Sequence, residues 1–346
     1  MFTRLAVAFA LISLTALGED WNQRLAAQYL DGRQQAWFEW PRAKAEGGPC
    51  VSCHTGVTYL LARPILRQAL GETQATPYEQ GLLAGLQARL AKKKPEGAEP
   101  RASQRLGVES IMAALFLARE SGSKLTPEAK EAFDRMWSLQ IPDGKAAGSW
   151  AWFDLNEDPW EMADSAYFGA AVAGVAVSYA PAEYRKQPEV QERVRALAEY
   201  MQREQSSQPL HNRLALLWAA SKLPGLLAKD GRRAIISELL GKQQADGGWT
   251  LQSLGPWKEH PEAPASIGSN SYATAFAAFV LREAKVPRKD ASLAKALAWL
   301  KSRQDRESGY WDAASMNKRY AAGSMPVQFM RDAATSFAVL ALTDGR

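Results

Sequence analysis

The chain is short of the residues that usually settle a protein's class. Only two cysteines and three histidines occur in 346 residues, so at most one disulfide is available, and a zinc site on the cysteines would lack nearby partners. Neither charge dominates. Forty-two Lys and Arg stand against 37 Asp and Glu, and the one basic cluster, KKKPEGAEPR at 92–101, reads as a solvated loop. With no long basic stripe and no recognised module, nothing resembles a nucleic-acid surface. Beyond residue 18 no stretch is long and apolar enough to span a bilayer; the nearest, AYFGAAVAGVAV at 166–177, is short and closely follows Asp164. Alternation of period two is also missing, which removes the basis for a β-sheet core.

The start of the chain has a pattern of its own. Met1–Arg4 is a short basic opening, residues 5–17 (LAVAFALISLTAL) are apolar, and Ala16 and Gly18 are small residues ahead of Glu19. This is the layout of a secretory signal peptide, too short for a membrane span. The expectation is a segment 1–18 removed near Gly18 and a periplasmic or otherwise exported domain, 19–346, without a transmembrane segment.

Both cysteines fall in one decapeptide, GGPCVSCHTG (47–56). An exported pair of cysteines suggests a disulfide by default. C-x-x-C followed at once by His has a more specific reading, the attachment site of a c-type haem. Each thiol adds across one haem vinyl group, and the adjacent imidazole reaches the iron. A thioredoxin-like motif would need a βαβ setting that is absent here. The expected cofactor is therefore one covalent haem c on Cys50 and Cys53 with His54 as iron ligand; a strained disulfide or adventitious metal site is the alternative. Candidates for the sixth iron position are several. GSMPVQF (323–329) resembles the M-P-x-x-F neighbourhood of the axial methionine in small cytochromes c, which points to Met325, with an ordinary loop methionine as the competing reading. Met316 lies in the same loop. His211 or His260 would give a bis-histidine haem of lower potential, and an open position would favour ligand binding or catalysis. Arg63 and Arg67, downstream of His54, are candidates to pair with the haem propionates, though solvated arginines are common.

The rest of the chain repeats. MWSLQIPDGKAAGSW (136–150), LLGKQQADGGW (239–249) and WLKSRQDRESGYW (299–311) each end a helical pattern in Gln, turn through Gly and reach a Trp: Gln140, Gly144, Trp150; Gln243, Gly247, Trp249; Gln304, Gly309, Trp311. Each precedes a small-residue helix apolar nearly all round, whereas the helices before them keep a single apolar stripe. Six such pairs are legible. The one-faced members lie near 21–38, 77–92, 127–140, 188–204, 231–244 and 290–304. The buried members lie near 57–70, 105–119, 162–179, 211–223, 270–284 and 331–343. An all-α (α/α)6 toroid of one domain satisfies the pattern. The Gln-to-Trp turns and the helices DSAYFGAA, NSYATAFAA and DAATSFAVLAL resemble those of squalene-hopene cyclases and their prenyltransferase relatives over roughly residues 105–343. The resemblance implies that these turns clamp outer helices together and that Trp249 and Trp311 are structural. It does not carry over the chemistry. In EMADSA (161–166) Glu161 and Asp164 match the outer acids of the cyclase motif, but Ala163 stands where the proton-donating Asp belongs, and the cysteines that a prenyltransferase zinc would need are better explained by haem.

In such a toroid the long connections, 39–56, 141–161, 245–269 and 305–330, share one end, which would put the haem loop 47–56 beside the mouth of the central cavity. Half of the 12 tryptophans map there too: Trp150, Trp152, Trp160, Trp249, Trp257 and Trp311. Three functions follow. The first is an exported haem protein that transfers electrons to a redox partner protein or performs redox chemistry on a hydrophobic, isoprenoid-like ligand. The second is a non-catalytic haem or electron carrier in which the ring is scaffold, favoured by a filled cavity. The third is a secreted hydrolase or lyase using the acidic and aromatic loop with Asp154, Glu157, Asp158 and Glu161. Asp164, opening a buried helix, is either an N-terminal cap or a residue facing the cavity.

Overall fold

In the computed structural model residues 21–45, 48–90, 100–122, 124–257 and 260–344 are described. The expected signal peptide (1–18) and most of the basic cluster at 92–101 lie outside them. The protein is predominantly helical. Among the described residues there are thirteen helices, and the only strands are a two-residue antiparallel pair, β1 (Lys44–Ala45) and β2 (Gly48–Pro49).

Two sets of helices alternate along the chain. One set is α1 (Gln23–Glu39), α3 (Pro77–Leu90), α5 (Pro127–Ser138), α8 (Pro188–Glu204), α10 (Lys229–Gly241) and α12 (Ala291–Arg303). The other is α2 (Gly56–Ala69), α4 (Pro100–Ser121), α6 (Ser165–Tyr179), α9 (Leu210–Lys222), α11 (Ser271–Glu283) and α13 (Phe329–Leu342), with α7 (Ala182–Arg185) a single turn between α6 and α8. Composition explains the division. In α8 only Val190, Leu197, Tyr200 and Met201 are buried, one narrow stripe on a charged helix. In α6 every residue from Gly169 to Val177 is buried, because SAYFGAAVAGVAVSY has no polar face to offer water. The buried helices pack on one another: α4 on α6, α6 on α9, α9 on α11, α11 on α13 and α13 on α2.

Four helix starts are fixed by side-chain caps. Asn22 accepts from Leu25 N, Thr126 from Ala129 N, Asn270 from Tyr272 and Ala273 N, and Asp290 from Ser292 and Leu293 N. At the other end, Arg282 of α11 donates to the carbonyls of Leu340 (3.1 Å), Ala341 (2.5 Å) and Thr343 (2.7 Å), acceptors that the last turn of α13 leaves open.

The three Gln-to-Trp turns are one device used three times. Gln140 Nε2 donates to Gly148 O (3.1 Å) and to Arg193 O of α8 (3.0 Å). Gln243 Nε2 donates to Gly247 O and to Ser292 O of α12, both at 2.8 Å. Gln304 Nε2 donates to Gly309 O (3.0 Å) and to Asn22 O (2.9 Å), while its Oε1 accepts from Asn22 N (2.6 Å). Each glutamine thus ties its own turn to the start or first turns of another one-faced helix, and the last ties α12 to the start of α1, 282 residues away. The indoles finish the turn: Trp150, Trp249 and Trp311, all at most 1% exposed, donate to Met136 O (2.6 Å), Leu239 O (2.8 Å) and Leu300 O (2.7 Å).

One assignment within these turns is corrected. The glycine equivalent to Gly247 and Gly309 is Gly148, not Gly144. All four have positive φ, so the backbone alone does not separate them, but Gly148 packs against Ala196 O of α8 while a Cβ on Gly144 would meet nothing. The shared spacing is therefore Gly-x-Trp in all three turns.

Candidate functional site

Cys50, Cys53 and His54 lie in the short link between β2 and α2. The link is fastened throughout. Cys50 N donates to Ala43 O (2.8 Å), and Trp37 Nε1 donates to Cys50 O (2.6 Å). Ser52 Oγ accepts from Thr55 N (3.2 Å) and pairs with His54 Nδ1 (2.7 Å). Thr58 Oγ1 donates to His54 O (2.6 Å). Thr55 Oγ1 donates to Asp332 Oδ2 at 2.8 Å, and this buried carboxylate also accepts from Tyr29 OH (2.8 Å) and from Arg33 Nε (2.8 Å) and Nη2 (3.1 Å). The residue after the histidine is thereby pinned to α1 and α13 through one buried ion pair.

Both cysteines are free thiols and partly buried, and burial pushes both pKa values up. The His54 ring lies flat on Phe329, with centroids 3.9 Å apart and planes 17° from parallel, and 6.1 Å from the Trp160 ring. Burial pulls its pKa down to about 3, so the imidazole is neutral at physiological pH. Nδ1 pairs with Ser52 Oγ, and among the described residues no hydrogen bond to Nε2 is present; the tautomer protonated at Nδ1 leaves the Nε2 lone pair for a metal. A tied Nδ1 and a free Nε2 are what a metal-binding imidazole needs. Among the described residues no three His, Cys, Asp or Glu side chains gather to hold a metal ion. A metal at His54 would need most of its donors from outside the chain, as a macrocycle supplies them.

Two free thiols and an adjacent imidazole are the donor set that a covalently tethered haem would use. Space sets a condition. The void at His54, bounded by Trp160, Glu161, Tyr320, Phe329 and Met330 among others, is about 30 Å³, a water's worth of room. A porphyrin needs far more, so segment 315–328 and the Phe329 ring must stand clear of His54 to admit one. Glu161 borders the same void, and burial with Glu157 nearby pushes its carboxyl up to about 7.

The other expected residues are placed as follows. Met325 lies in a short turn before α13 with its sulfur 3.0 Å from Arg33 Nη2, turned toward the Arg33–Asp332 pair. Met330, one turn on, shares the void with His54. Met316 and His260 border a different cleft of about 550 Å³, where His260 Nε2 is 3.7 Å from Asp158. His211 is fully buried with both ring nitrogens engaged, Nε2 to Tyr272 OH (2.7 Å) and Nδ1 to Asn212 Oδ1 (3.1 Å). Arg63 is paired with Asp31 (3.0 Å) and Glu72 (2.7 Å), and Arg67 with Glu79 (3.3 Å), so both pin α2 to its neighbours. Arg63 is about 14 Å along the chain from His54 at helical rise. Asp164 makes no side-chain cap, is exposed, and lines a cleft of about 670 Å³ with Arg213, Glu238, Lys242 and Trp257. Ala163 is exposed beside it. Glu157, Asp158 and Glu161 border the His54 void.

The space between the buried helices is filled with aromatic side chains. Trp160 meets Tyr272 edge-on at 5.2 Å, His211 stacks on Phe168 at 5.5 Å, and Phe276 meets Phe337 at 5.0 Å. Among them lies a void of about 20 Å³, lined by Cys53, Trp152, Trp160, Phe168, Trp218 and Phe337 among others. Several site residues were not foreseen from the sequence: Ser52, Thr55, Met330 and Asp332, and Phe329 was read only as part of the pattern around Met325, not as the ring that stacks on His54. Of the first four only Ser52 offered a signal, by its place two residues before the histidine.

No family model matches the chain, and no curated protein matches it.

Proposed function

We propose that this protein is an exported electron carrier that holds one haem c through Cys50 and Cys53, with His54 on the iron. The observation that carries the reading is the histidine: a neutral imidazole beside two free thiols, its Nδ1 tied to Ser52 and its Nε2 free among the described residues. The thiols would tether the haem, Ser52 and Phe329 would orient the imidazole, and the Thr55–Asp332–Arg33 chain would fix the loop against α1 and α13. Bound haem supplies a one-electron couple. The scaffold is, in this reading, a closed (α/α)6 ring of the squalene-cyclase kind. Its support is the link from Gln304 to Asn22, which joins the last one-faced helix to the first, and the packing of α13 on α2.

A carrier is favoured over a redox catalyst because the void beside Cys53 and Trp160, about 20 Å³, leaves no room for an organic substrate next to the haem-attachment loop. A redox partner protein is implied. The test is the pair of variants Cys50→Ala and Cys53→Ala, singly and together, exported from a host that matures c-type cytochromes. The double variant should carry no haem mass while keeping its helical circular dichroism. Haem that stays covalently attached without both cysteines would overturn the assignment.

A further inference from the structure

The two clefts of about 670 and 550 Å³ are neighbours. The first is bounded by the starts of α6 and α9, the end of α10 and the loop 253–257; the second by that loop and segment 260–266. Gly255, Pro256 and Trp257 form a wall common to both, so a ligand longer than either cleft would cross at the indole. Trp257 is held in that position. It is half-buried, its Nε1 donates to Leu251 O (2.7 Å), and its ring meets His211 edge-on at 5.7 Å. A Cβ on Gly255 would lie 3.1 Å from the six-membered ring, so the absent side chain makes the room the indole occupies. The ring therefore keeps one orientation while part of it stays open to solvent. With its N–H already bonded, it offers a ligand an apolar face and no hydrogen bond.

The polar groups of the first cleft select against a charged ligand. Arg213 is committed within the protein, Nη1 and Nη2 donating to Glu238 (2.6 and 2.9 Å) and Nε to Gln208 O (3.1 Å), so neither member of that pair anchors an ion. Asp158 is buried and lies 3.7 Å from His260. Asp164 and Lys242 are exposed in the same cleft and opposite in charge, so an anion or a cation attracted by one is repelled by the other. A hydroxyl group is served by both, since a carboxylate accepts and an ammonium donates. Donors and acceptors in balance around a fixed aromatic face suit a molecule with hydroxyls on its edges and C–H groups on its faces, which is the chemistry of a sugar ring.

We propose that the two clefts together bind an uncharged oligosaccharide, with one sugar ring against Trp257 and hydroxyls bonded to Asp164 and Lys242. The site does not depend on haem, and its test does not read haem. Cellohexaose, xylohexaose, maltohexaose and hexa-N-acetylchitohexaose are titrated calorimetrically into the full exported chain. At least one should bind, roughly 10-fold or more tighter than its own monosaccharide, because a single ring reaches only one cleft. Its affinity should not move with added salt. Trp257→Ala should weaken binding about 10-fold or more, and Trp257→Phe, which keeps an aromatic face, should weaken it less. Asp164→Ala changes an exposed position without touching the indole and should weaken binding about 10-fold. Circular dichroism confirms the fold of each variant. The proposal is overturned by no binding of any of the four, by a monosaccharide that binds as tightly as its hexamer, or by an affinity that falls steeply with salt. It is overturned equally by an affinity that Asp164→Ala and a folded Trp257→Ala both leave unchanged.

Discussion

Acidification should weaken this fold through His211, by an amount the structure allows to be worked out. The ring has no exposed surface and stacks on Phe168, with Nε2 beside Tyr272 OH and Nδ1 beside Asn212. Burial pulls its pKa from the usual 6.5 down to about 4. Between those values the unfolded chain takes up a proton that the folded chain refuses. The contribution is therefore complete above about pH 6.5 and is lost as pH falls toward 4. At about 1.4 kcal/mol per pKa unit the full loss is about 3 kcal/mol, and about 2.5 kcal/mol of it has gone by pH 4.5. Glu161 works in the opposite sense: its raised pKa, about 7, gives stability that is present below 4.5 and lost as pH rises through 7. A comparison with His211→Gln cancels Glu161 and every other group common to both proteins. The variant should be less stable at pH 7, and the gap should narrow by about 2.5 kcal/mol at pH 4.5. Urea unfolding at both pH values, with both proteins in the same haem state, measures it. A gap constant within about 0.5 kcal/mol would refute the reasoning.

Three further outcomes are expected. Asp332→Ala strands the buried Arg33 guanidinium and should cost about 3–5 kcal/mol in urea unfolding. Thr55→Val removes one hydrogen bond to the same carboxylate and should cost about 1.5–3 kcal/mol. Gly309→Ala and Gly71→Ala form a matched pair, since both positions have positive φ, but a Cβ at 309 would lie 2.3 Å from Leu25 C while one at 71 meets nothing. Gly71→Ala should cost about 1–2 kcal/mol for conformation alone, and Gly309→Ala clearly more, because α1 must also move.

The helical plan was legible because burial is written in composition. SAYFGAAVAGVAVSY has no polar side to turn outward, and PEVQERVRALAEYMQRE has little else. The Gln, Gly and Trp of each turn were legible from their order, and the Gly-x-Trp spacing already favours Gly148 over Gly144. Both adopt positive φ, and the structure separates them by the Gln140 bond to Gly148 O and the approach of Ala196 on another helix. The contact of Gln304 with Asn22 has no local signature, since it exists only once the ends of the chain meet. The same limit applies at the site. The spacing of Cys50, Cys53 and His54 is local and could be read directly. Met325 was read from its neighbours Pro326 and Phe329, yet the direction of its sulfur is set by Arg33, far away in the sequence. Arg63 and Arg67 follow the histidine on one helix, but their partners Asp31, Glu72 and Glu79 come from other segments.

The central claim is the covalent haem. The most direct test is an absorption spectrum of the protein exported from a host competent in c-type maturation, oxidised and then reduced, together with its intact mass. The account predicts a mass increase of one haem and sharp bands on reduction. A colourless protein with no added mass would contradict it.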